Sequence, residues 1–319
     1  MITLQHAYIV AGLFFLALVV LSARDGANPR RLRNAAFWGL LAASFLGGHA
    51  FGDLGNGLLA LGLVAIAAFG LGQGKPATTT QEERRASAER NGNLLFLPAL
   101  IIPAAALAGT LIAKETSWGP LLIEARQATL VSLTLGVLIA IGVIMVWLKP
   151  PLLAPLQEGR RLMDAVGWAA ILPQMLASLG AVFLAAGVGE QVGAIFAQYI
   201  PLDTRTMAVA AYCIGMALFT IIMGNAFAAF PVMTAAVGLP FVIHELGGDP
   251  ARVCAIGMLA GFCGTLMTPM AANFNVVPAN LLELPDRNAA LNGVIRAQIP
   301  TAIPLLIANI LLMRFLAFP

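Results

Sequence analysis

Hydrophobic residues occur along the chain in ten long runs that are separated by short polar connections. A helix that crosses a membrane needs ~20 mostly apolar residues, and each run is comparable to that length. The runs cover residues 5–22, 35–52, 54–73, 93–113 and 128–148 in the first half, and 165–186, 206–223, 225–243, 252–271 and 297–316 in the second. This pattern predicts an all-α polytopic membrane protein with nine or ten transmembrane segments.

Five runs lie in each half, and an odd number per half is what an inverted-topology repeat requires. We predict a first transmembrane repeat at 1–148 with a cytoplasmic loop at 75–92, a cytoplasmic linker at 149–164, and a second repeat at 165–319. The third run of each half also begins at a Gly-Asn pair, Gly55-Asn56 and Gly224-Asn225. A true duplication and the chance recurrence of residues common at span ends both stay open.

Basic residues are concentrated in the connections after the first, third and fifth runs, at 24–33, 75–92 and 149–161. Loops rich in Lys and Arg remain on the cytoplasmic side of a membrane, so we expect the N-terminus outside. The charge pattern does not choose between ten full crossings and nine crossings with a re-entrant hairpin at 225–243. Both arrangements leave the same number of basic residues inside.

The composition agrees with membrane insertion. The 319 residues are 60% hydrophobic and 10% charged, with a mean hydropathy of +0.88, whereas about 25% of residues in soluble proteins are charged. The first run has no preceding Lys or Arg and no small-residue cleavage pattern after it, so we interpret it as a first span and not as a secretory signal. The basic loops explain the pI near 9.0, and we expect no nucleic-acid partner.

The sequence contains no catalytic or metal-binding motif that we recognise. Its three cysteines lie in apolar runs without CxxC spacing and its three histidines are scattered, which supports neither a disulfide framework nor a metal site. GxSxG, HExxH and Walker sequences are missing, and no run holds a carboxylate pair, so we expect no enzyme and no ATP-driven transporter. A secondary carrier needs discontinuous helices with small residues, hydroxyls and amides near the middle of the membrane.

Two segments of the second half, 223–246 and 252–280, combine helix-breaking and polar residues in apolar surroundings. The first contains MGNAFAAFPVMTAAVG, with Gly224 and Asn225 at the junction of two runs, and the second contains GFCGTLMTPMAANFNVVPAN. Non-helical backbone at membrane depth is tolerated only where protein buries it or where it lines a wet cavity. We therefore predict that the two breaks form two halves of one pocket.

Freed backbone groups, hydroxyls and amides near such breaks can bind ions and carboxylates. The candidate substrate-binding residues are Gly224, Asn225, Gly264, Thr265, Thr268, Asn273, Asn275 and, in the first half, Asn56. Simpler roles stay open for some of them, because Asn225 could serve as a turn residue and Asn273 and Asn275 as interfacial caps. We predict no metal ligands.

The two broken segments, together with the plan of the runs, resemble a bacterial membrane family of unknown function whose members carry the name of one subunit of a 5-oxoproline (pyroglutamate) transporter. The resemblance covers essentially the whole chain, and it implies a second, smaller membrane protein as partner. It also implies a distant similarity to the ion-transporter superfamily of gluconate, lactate, citrate and dicarboxylate carriers, which bind organic anions at helix breaks. Sodium-coupled dicarboxylate members read Ser-Asn-Thr at the hairpin tips, whereas this chain has Gly224, Asn225 and Ala226.

These observations lead to two functional hypotheses. The first is a secondary transporter, or a subunit of one, that moves a small organic anion such as 5-oxoproline across the bacterial inner membrane by alternating access. Asn225, Thr265 and Thr268 would bind the anion, and the coupling ion would be H⁺ or Na⁺, with no other cofactor. The alternative is a scaffold or regulatory membrane subunit that does not transport. The lipid bilayer is a partner in both cases, and the oligomeric state stays open.

Overall fold

Helices make up 84% of this computed structural model. The structure describes residues 1–72, 74, 79–200, 202, 204–282 and 287–318. Within those ranges Ile2 and Ile123 form an isolated β-bridge and no strand occurs. By its contacts the chain divides into two compact units, Met1–Asp164 (unit 1) and Ala165–Pro319 (unit 2).

Unit 1 begins with two long helices and continues with shorter ones. They are α1 (Leu4–Ala23), α2 (Arg31–Ala68), α3 (Gln81–Asn91), α4 (Leu97–Glu115), α5 (Gly119–Leu122), α6 (Ala128–Leu148) and α7 (Ala154–Val166), which ends just beyond the unit boundary. Unit 2 contains α8 (Leu172–Ala185), α9 (Val188–Tyr199), α10 (Arg205–Met223), α11 (Ala226–Met233), α12 (Pro250–Thr265), α13 (Val277–Leu281) and α14 (Arg287–Leu316). Two π-helical stretches, Thr234–Glu245 and Ala272–Val276, follow α11 and precede α13.

Eight helical stretches of the described chain are long and apolar enough to cross a membrane. They are Leu4–Ala23, Arg31–Ala68, Glu82–Glu115, Ala125–Leu148, Ala154–Ala185, Arg205–Met223, Ala226–Glu245 and Ala289–Leu316. The all-α polytopic fold class is thereby confirmed. The number of crossings and the inverted repeat stay predictions.

Two predicted runs differ from simple spans. Helix α2 has 38 residues and is about 57 Å long at the usual rise, about twice the thickness of the hydrocarbon core. It is interrupted at Gly52, whose φ of 62° and ψ of −174° are not helical, so that α2 contains run 35–52 and the first part of run 54–73, up to Ala68. Helix α12 has only 16 residues and ends at Thr265, well before the end of run 252–271.

The predicted polar loop at 75–92 is largely helical where it is described. Residues 75–78 lie outside the described residues, and the helix α3 follows them. Thr80 begins this helix with a capping box, because its hydroxyl accepts from the Glu83 backbone N–H while the Glu83 carboxylate accepts from the Thr80 N–H. Such reciprocal caps stabilise a polar helix that buries little apolar surface.

The core of unit 2 surrounds the fully buried Tyr212 of α10. Its hydroxyl lies 2.9 Å from the hydroxyl of Thr234, and the backbones of Gly238 and Gly257 lie against its ring. A Cβ atom at Gly257 would be 2.5 Å from the Tyr212 hydroxyl oxygen, so glycine is required there for close packing. Glycines therefore set how closely α10, α12 and the first π-helical stretch approach one another.

Candidate functional site

The first helix break separates α10 from α11. Helix α10 ends at Met223, and Gly224 takes the left-handed conformation with φ of 75° and donates its N–H to the Thr220 carbonyl at 2.7 Å. Asn225 then caps α11, because its Oδ1 accepts from the Phe227 N–H at 2.7 Å. Glycine adopts this conformation without steric cost, and asparagine is among the best residues for the cap.

The second break follows α12 and extends over several residues. After Thr265 the backbone is not helical over residues 266–271, and a short π-helical stretch leads into α13. The Thr265 hydroxyl donates to the Phe262 carbonyl at 2.6 Å. Pro269, which has no N–H, is exposed within the non-helical segment. The Phe262 and Gly264 carbonyls accept from the Leu266 and Met267 N–H groups, whereas the Thr265 carbonyl needs a partner from elsewhere in the chain.

Asn275 supplies a hydrogen-bond donor to two carbonyls of this break. Its Nδ2 donates to the Thr265 carbonyl at 2.9 Å and to the Thr268 carbonyl at 2.6 Å. The side chain is fully buried, and its Oδ1 makes no hydrogen bond with the described residues. Asn275 is thus an internal brace of the break and not the interfacial cap that the sequence left open.

The two breaks touch each other. The Thr268 hydroxyl donates to the Ile221 carbonyl at 2.9 Å, which satisfies one of the unpaired carbonyls at the end of α10. Gly224 lies against the backbone of Met270, and a Cβ atom at Gly224 would be only 2.6 Å from the Met270 carbonyl oxygen. The structure therefore brings the end of α10, the start of α11 and the segment 266–271 into contact.

This arrangement joins helix ends of opposite polarity. The beginning of α11 carries partial positive charge from its unpaired N–H groups, while the ends of α10 and α12 carry partial negative charge from their carbonyls. A carboxylate is stabilised near the first and a cation near the other two. No group of three or more His, Cys, Asp or Glu side chains able to hold a metal ion occurs among the described residues.

The remaining candidates lie in different surroundings. Gly264 is buried against the backbone of Ala217 on α10 and has no room for a side chain. Asn273 is half-buried in the second π-helical stretch. Asn56 belongs to unit 1, where its Nδ2 donates to the Gly48 carbonyl at 2.8 Å across the interruption of α2. Of the eight candidates, the structure brings Gly224 and Thr268 to the contact between the breaks, with Asn225, Thr265 and Asn275 beside them.

Two further polar side chains of unit 2 were not among the residues predicted from the sequence. Thr220 is fully buried one turn before Gly224, and its hydroxyl has no hydrogen bond with the part of the chain that is described. Gln298 of α14 donates to the Phe274 carbonyl at 3.3 Å and lines a mostly apolar groove of about 520 Å³ between α13 and α14. Each is a polar residue within an apolar run, which is the signal that could have identified it.

Fold and sequence together define a multi-pass membrane protein with two broken helices in contact. The chain belongs to the family described as "Protein of unknown function (DUF979)", whose model matches residues 5–318. No curated protein matches the chain, and no solved structure matches it.

Proposed function

We propose that this protein is a secondary transporter for a small organic anion, or the substrate-binding subunit of one, with 5-oxoproline as the leading substrate. The observation that carries the proposal is the contact between two helix breaks within an apolar helical unit. Broken helices whose ends face a common point are the usual way in which secondary transporters bind substrate at membrane depth.

The roles of individual groups follow from their chemistry. The carboxylate of the substrate would bind at the start of α11, where unpaired N–H groups and the Asn225 amide donate hydrogen bonds. The hydroxyls of Thr265 and Thr268 would contact its polar atoms, which for 5-oxoproline include a lactam N–H and carbonyl. The Thr268 hydroxyl donates to the Ile221 carbonyl, and its oxygen accepts from the Met270 N–H at 3.3 Å, so its second lone pair would accept from a ligand.

The wider setting of the proposal comes from the resemblance described above. We place the protein in the bacterial inner membrane with a second, smaller membrane subunit as its partner. Transport would proceed by alternating access and would be coupled to H⁺ or Na⁺. Gly224 and Ala226 provide no hydroxyl for a cation, and the carbonyls at the ends of α10 and α12 would have to supply oxygen ligands.

A scaffold function is the second candidate, and close packing favours it. Gly224, Gly261 and Gly264 each lie so near to neighbouring atoms that a side chain would not fit without a shift. These contacts are made within the chain and fill the region of the breaks, and a subunit that only supports a transporting partner needs such packing and needs no ligand.

A binding screen separates the two functions. The purified protein, alone and with its partner, is titrated with small carboxylates including 5-oxoproline, and binding heat or a ligand-induced rise in melting temperature is measured. The transporter proposal predicts saturable binding that weakens in Asn225→Ser, which keeps a cap for α11 but lacks the amide N–H groups. Binding by the partner alone, with none by this chain, would support the scaffold.

A further inference from the structure

Unit 1 contains a buried cluster of charged side chains that the transport proposal does not use. It consists of Asp25, between α1 and α2, with Arg160 and Asp164 on α7. Their side chains are 9%, 6% and 5% exposed. Asp164 is the last residue of the predicted cytoplasmic linker 149–164 and lies in the polar first part of the stretch Ala154–Ala185, just before the apolar run 165–186. Buried ionisable groups next to membrane spans are functional candidates because their burial is costly.

Arg160 does not divide its hydrogen bonds equally between the two carboxylates. Its Nη2 donates to Asp25 Oδ2, and its Nη1 donates to the Leu21 carbonyl at 3.1 Å. The Nε atom lies 3.4 Å from Asp164 Oδ2, but neither of these two atoms makes a hydrogen bond. The guanidinium therefore donates a hydrogen bond to Asp25, whereas its interaction with Asp164 is the electrostatic attraction between the two charges.

The other oxygen of Asp164 has a neutral partner. Asn34 on α2 donates its Nδ2 to Asp164 Oδ1 at 3.1 Å. The same Asn34 is held by Gly72, since its Nδ2 also donates to the Gly72 carbonyl at 2.7 Å and its Oδ1 accepts from the Gly72 N–H at 2.8 Å. An ionised carboxylate can accept about four hydrogen bonds. The side chains beside Asp164 are Asn34, Trp38 and Arg160, and burial of the ionised form is costly.

The charged groups around Asp164 come from α7 and from the turn after α1. Asp25 approaches from the turn after α1, and Arg160 lies one turn earlier on α7, whereas α2 contributes the uncharged Asn34. Glu158 and Arg161 form their own pair on α7 at 2.7 Å and are partly exposed. Arg160 is thus the cation that the described residues place beside Asp164.

The cluster is packed to contact. The backbone of Gly74 lies against both Arg160 and Asp25, so that a side chain at position 74 would overlap them. Asn34 and the neighbouring Trp38 are fully buried. Among the described residues the groups of this cluster are in direct contact, and a proton can bind to Asp164 without displacing any of them.

We propose that Asp164 is a reversible proton-binding site. In the protonated state its carboxyl is neutral and accepts from Asn34, while Arg160 remains with Asp25. When the pH rises and Asp164 ionises, the two carboxylates compete for Arg160. Because Asp164 joins α7 to α2, the state of this proton sets how firmly α7 is held. The proposal stands independently of any transported substrate.

The test is the pH dependence of the melting temperature of the purified full-length protein. Burial favours the neutral carboxyl in the folded state, whereas aspartate in the unfolded chain releases its proton near pH 4. The folded state therefore binds more protons, and stability falls as the pH rises. We expect the melting temperature of the wild type to fall by several degrees as the pH is raised above about 4, the value for aspartate in the unfolded chain, and this fall to be absent in Asp164→Asn.

The matched control is Glu158→Gln, which makes the same chemical change on the same helix at a partly exposed position. It should retain the fall of the wild type. A second measurement uses the wild type alone, in which the infrared carbonyl band of a protonated carboxyl should disappear as the pH rises. A wild type without the fall and without that band, or an Asp164→Asn variant that keeps the fall, overturns the proposal. Stabilisation by Na⁺ at constant pH, lost in Asp164→Asn, would identify a cation site instead.

Discussion

Asn275 shows how one side chain can stabilise a break between two helices. Proline and glycine in a sequence explain why a helix stops, but they do not explain why the freed carbonyls stay buried. Here the amide of Asn275 donates to the carbonyls of Thr265 and Thr268, so the break is a defined structure with its own hydrogen bonds. The interpretation of Asn275 as a surface cap is wrong for this physical reason.

Replacing Asn275 by Ala should therefore destabilise the protein. The Thr265 carbonyl would lose its donor, at a cost of about 1–3 kcal/mol, and the Thr268 carbonyl would keep only the bond from the Ala271 N–H at 3.4 Å. The matched control is Asn273→Ala, two residues earlier and half-buried in the same π-helical stretch. We expect a clearly lower melting temperature for Asn275→Ala and a small change for Asn273→Ala. Equal melting temperatures would show that Asn275 does not brace the break.

Asn225 has two separable roles, since its Oδ1 caps α11 while its amide would bind the substrate. Asn225→Ala removes both and should cost about 1 kcal/mol of stability through the lost cap. Asn225→Ser keeps a capping oxygen and should retain the melting temperature, yet raise the half-saturating substrate concentration by roughly tenfold or more through the lost hydrogen bond to a charged group. Uptake by Asn225→Ser equal to the wild type would remove Asn225 from the site.

Among the helices, the contact between the two breaks is the feature on which the proposed transport site depends. Thr268→Val removes the hydroxyl that reaches Ile221 while preserving shape, and it should cost about 1 kcal/mol of stability and impair transport. Thr134→Val in α6 is the control, because the Thr134 hydroxyl donates to the Leu130 carbonyl of its own helix at 3.1 Å. If both variants transport like the wild type, the contact between the breaks carries no function.

Gly224 tests the same contact by steric means. Alanine at this position would be strained by the φ of 75° and would meet the Met270 carbonyl, so the loss of stability should exceed about 1 kcal/mol. Gly142→Ala in α6 is the control, since nothing lies within 4 Å of a Cβ atom there and alanine is the better helix former. Thermal unfolding of both variants gives the comparison. A Gly224→Ala protein as stable as Gly142→Ala would contradict the observed contact.

At the scale of the molecule, the sequence predicts the helices well because hydrophobicity alone sets which segments enter a membrane. All ten runs are helical over most of their length, and Gly52 marks the boundary between two of them within α2. The π-helical stretch Thr234–Glu245 was not predicted; it contains Pro240 and packs against Tyr212 through Thr234 and Gly238. The pairing of Arg160 with Asp25 joins residues 135 positions apart, which no local pattern reveals.

The predicted topology can be tested on α3. Ala88 is exposed on this helix, and the positive-inside rule places it in the cytoplasm. An Ala88→Cys protein should resist a membrane-impermeant thiol reagent in intact cells and react after permeabilisation. The wild type controls for the native cysteines Cys213, Cys254 and Cys263. Ready labelling from outside would show that α3 lies on the outer side of the membrane and would contradict the predicted topology.

If the touching helix breaks form a transport site, the protein should take up substrate into proteoliposomes. The protein is reconstituted with its smaller partner, and accumulation of labelled 5-oxoproline is followed under an imposed H⁺ or Na⁺ gradient. We expect saturable uptake that depends on the gradient and requires this chain. Uptake should be reduced in Asn225→Ser and Thr268→Val but not in Thr134→Val. Folded, correctly inserted protein that takes up neither 5-oxoproline nor any other small carboxylate under either gradient would contradict it.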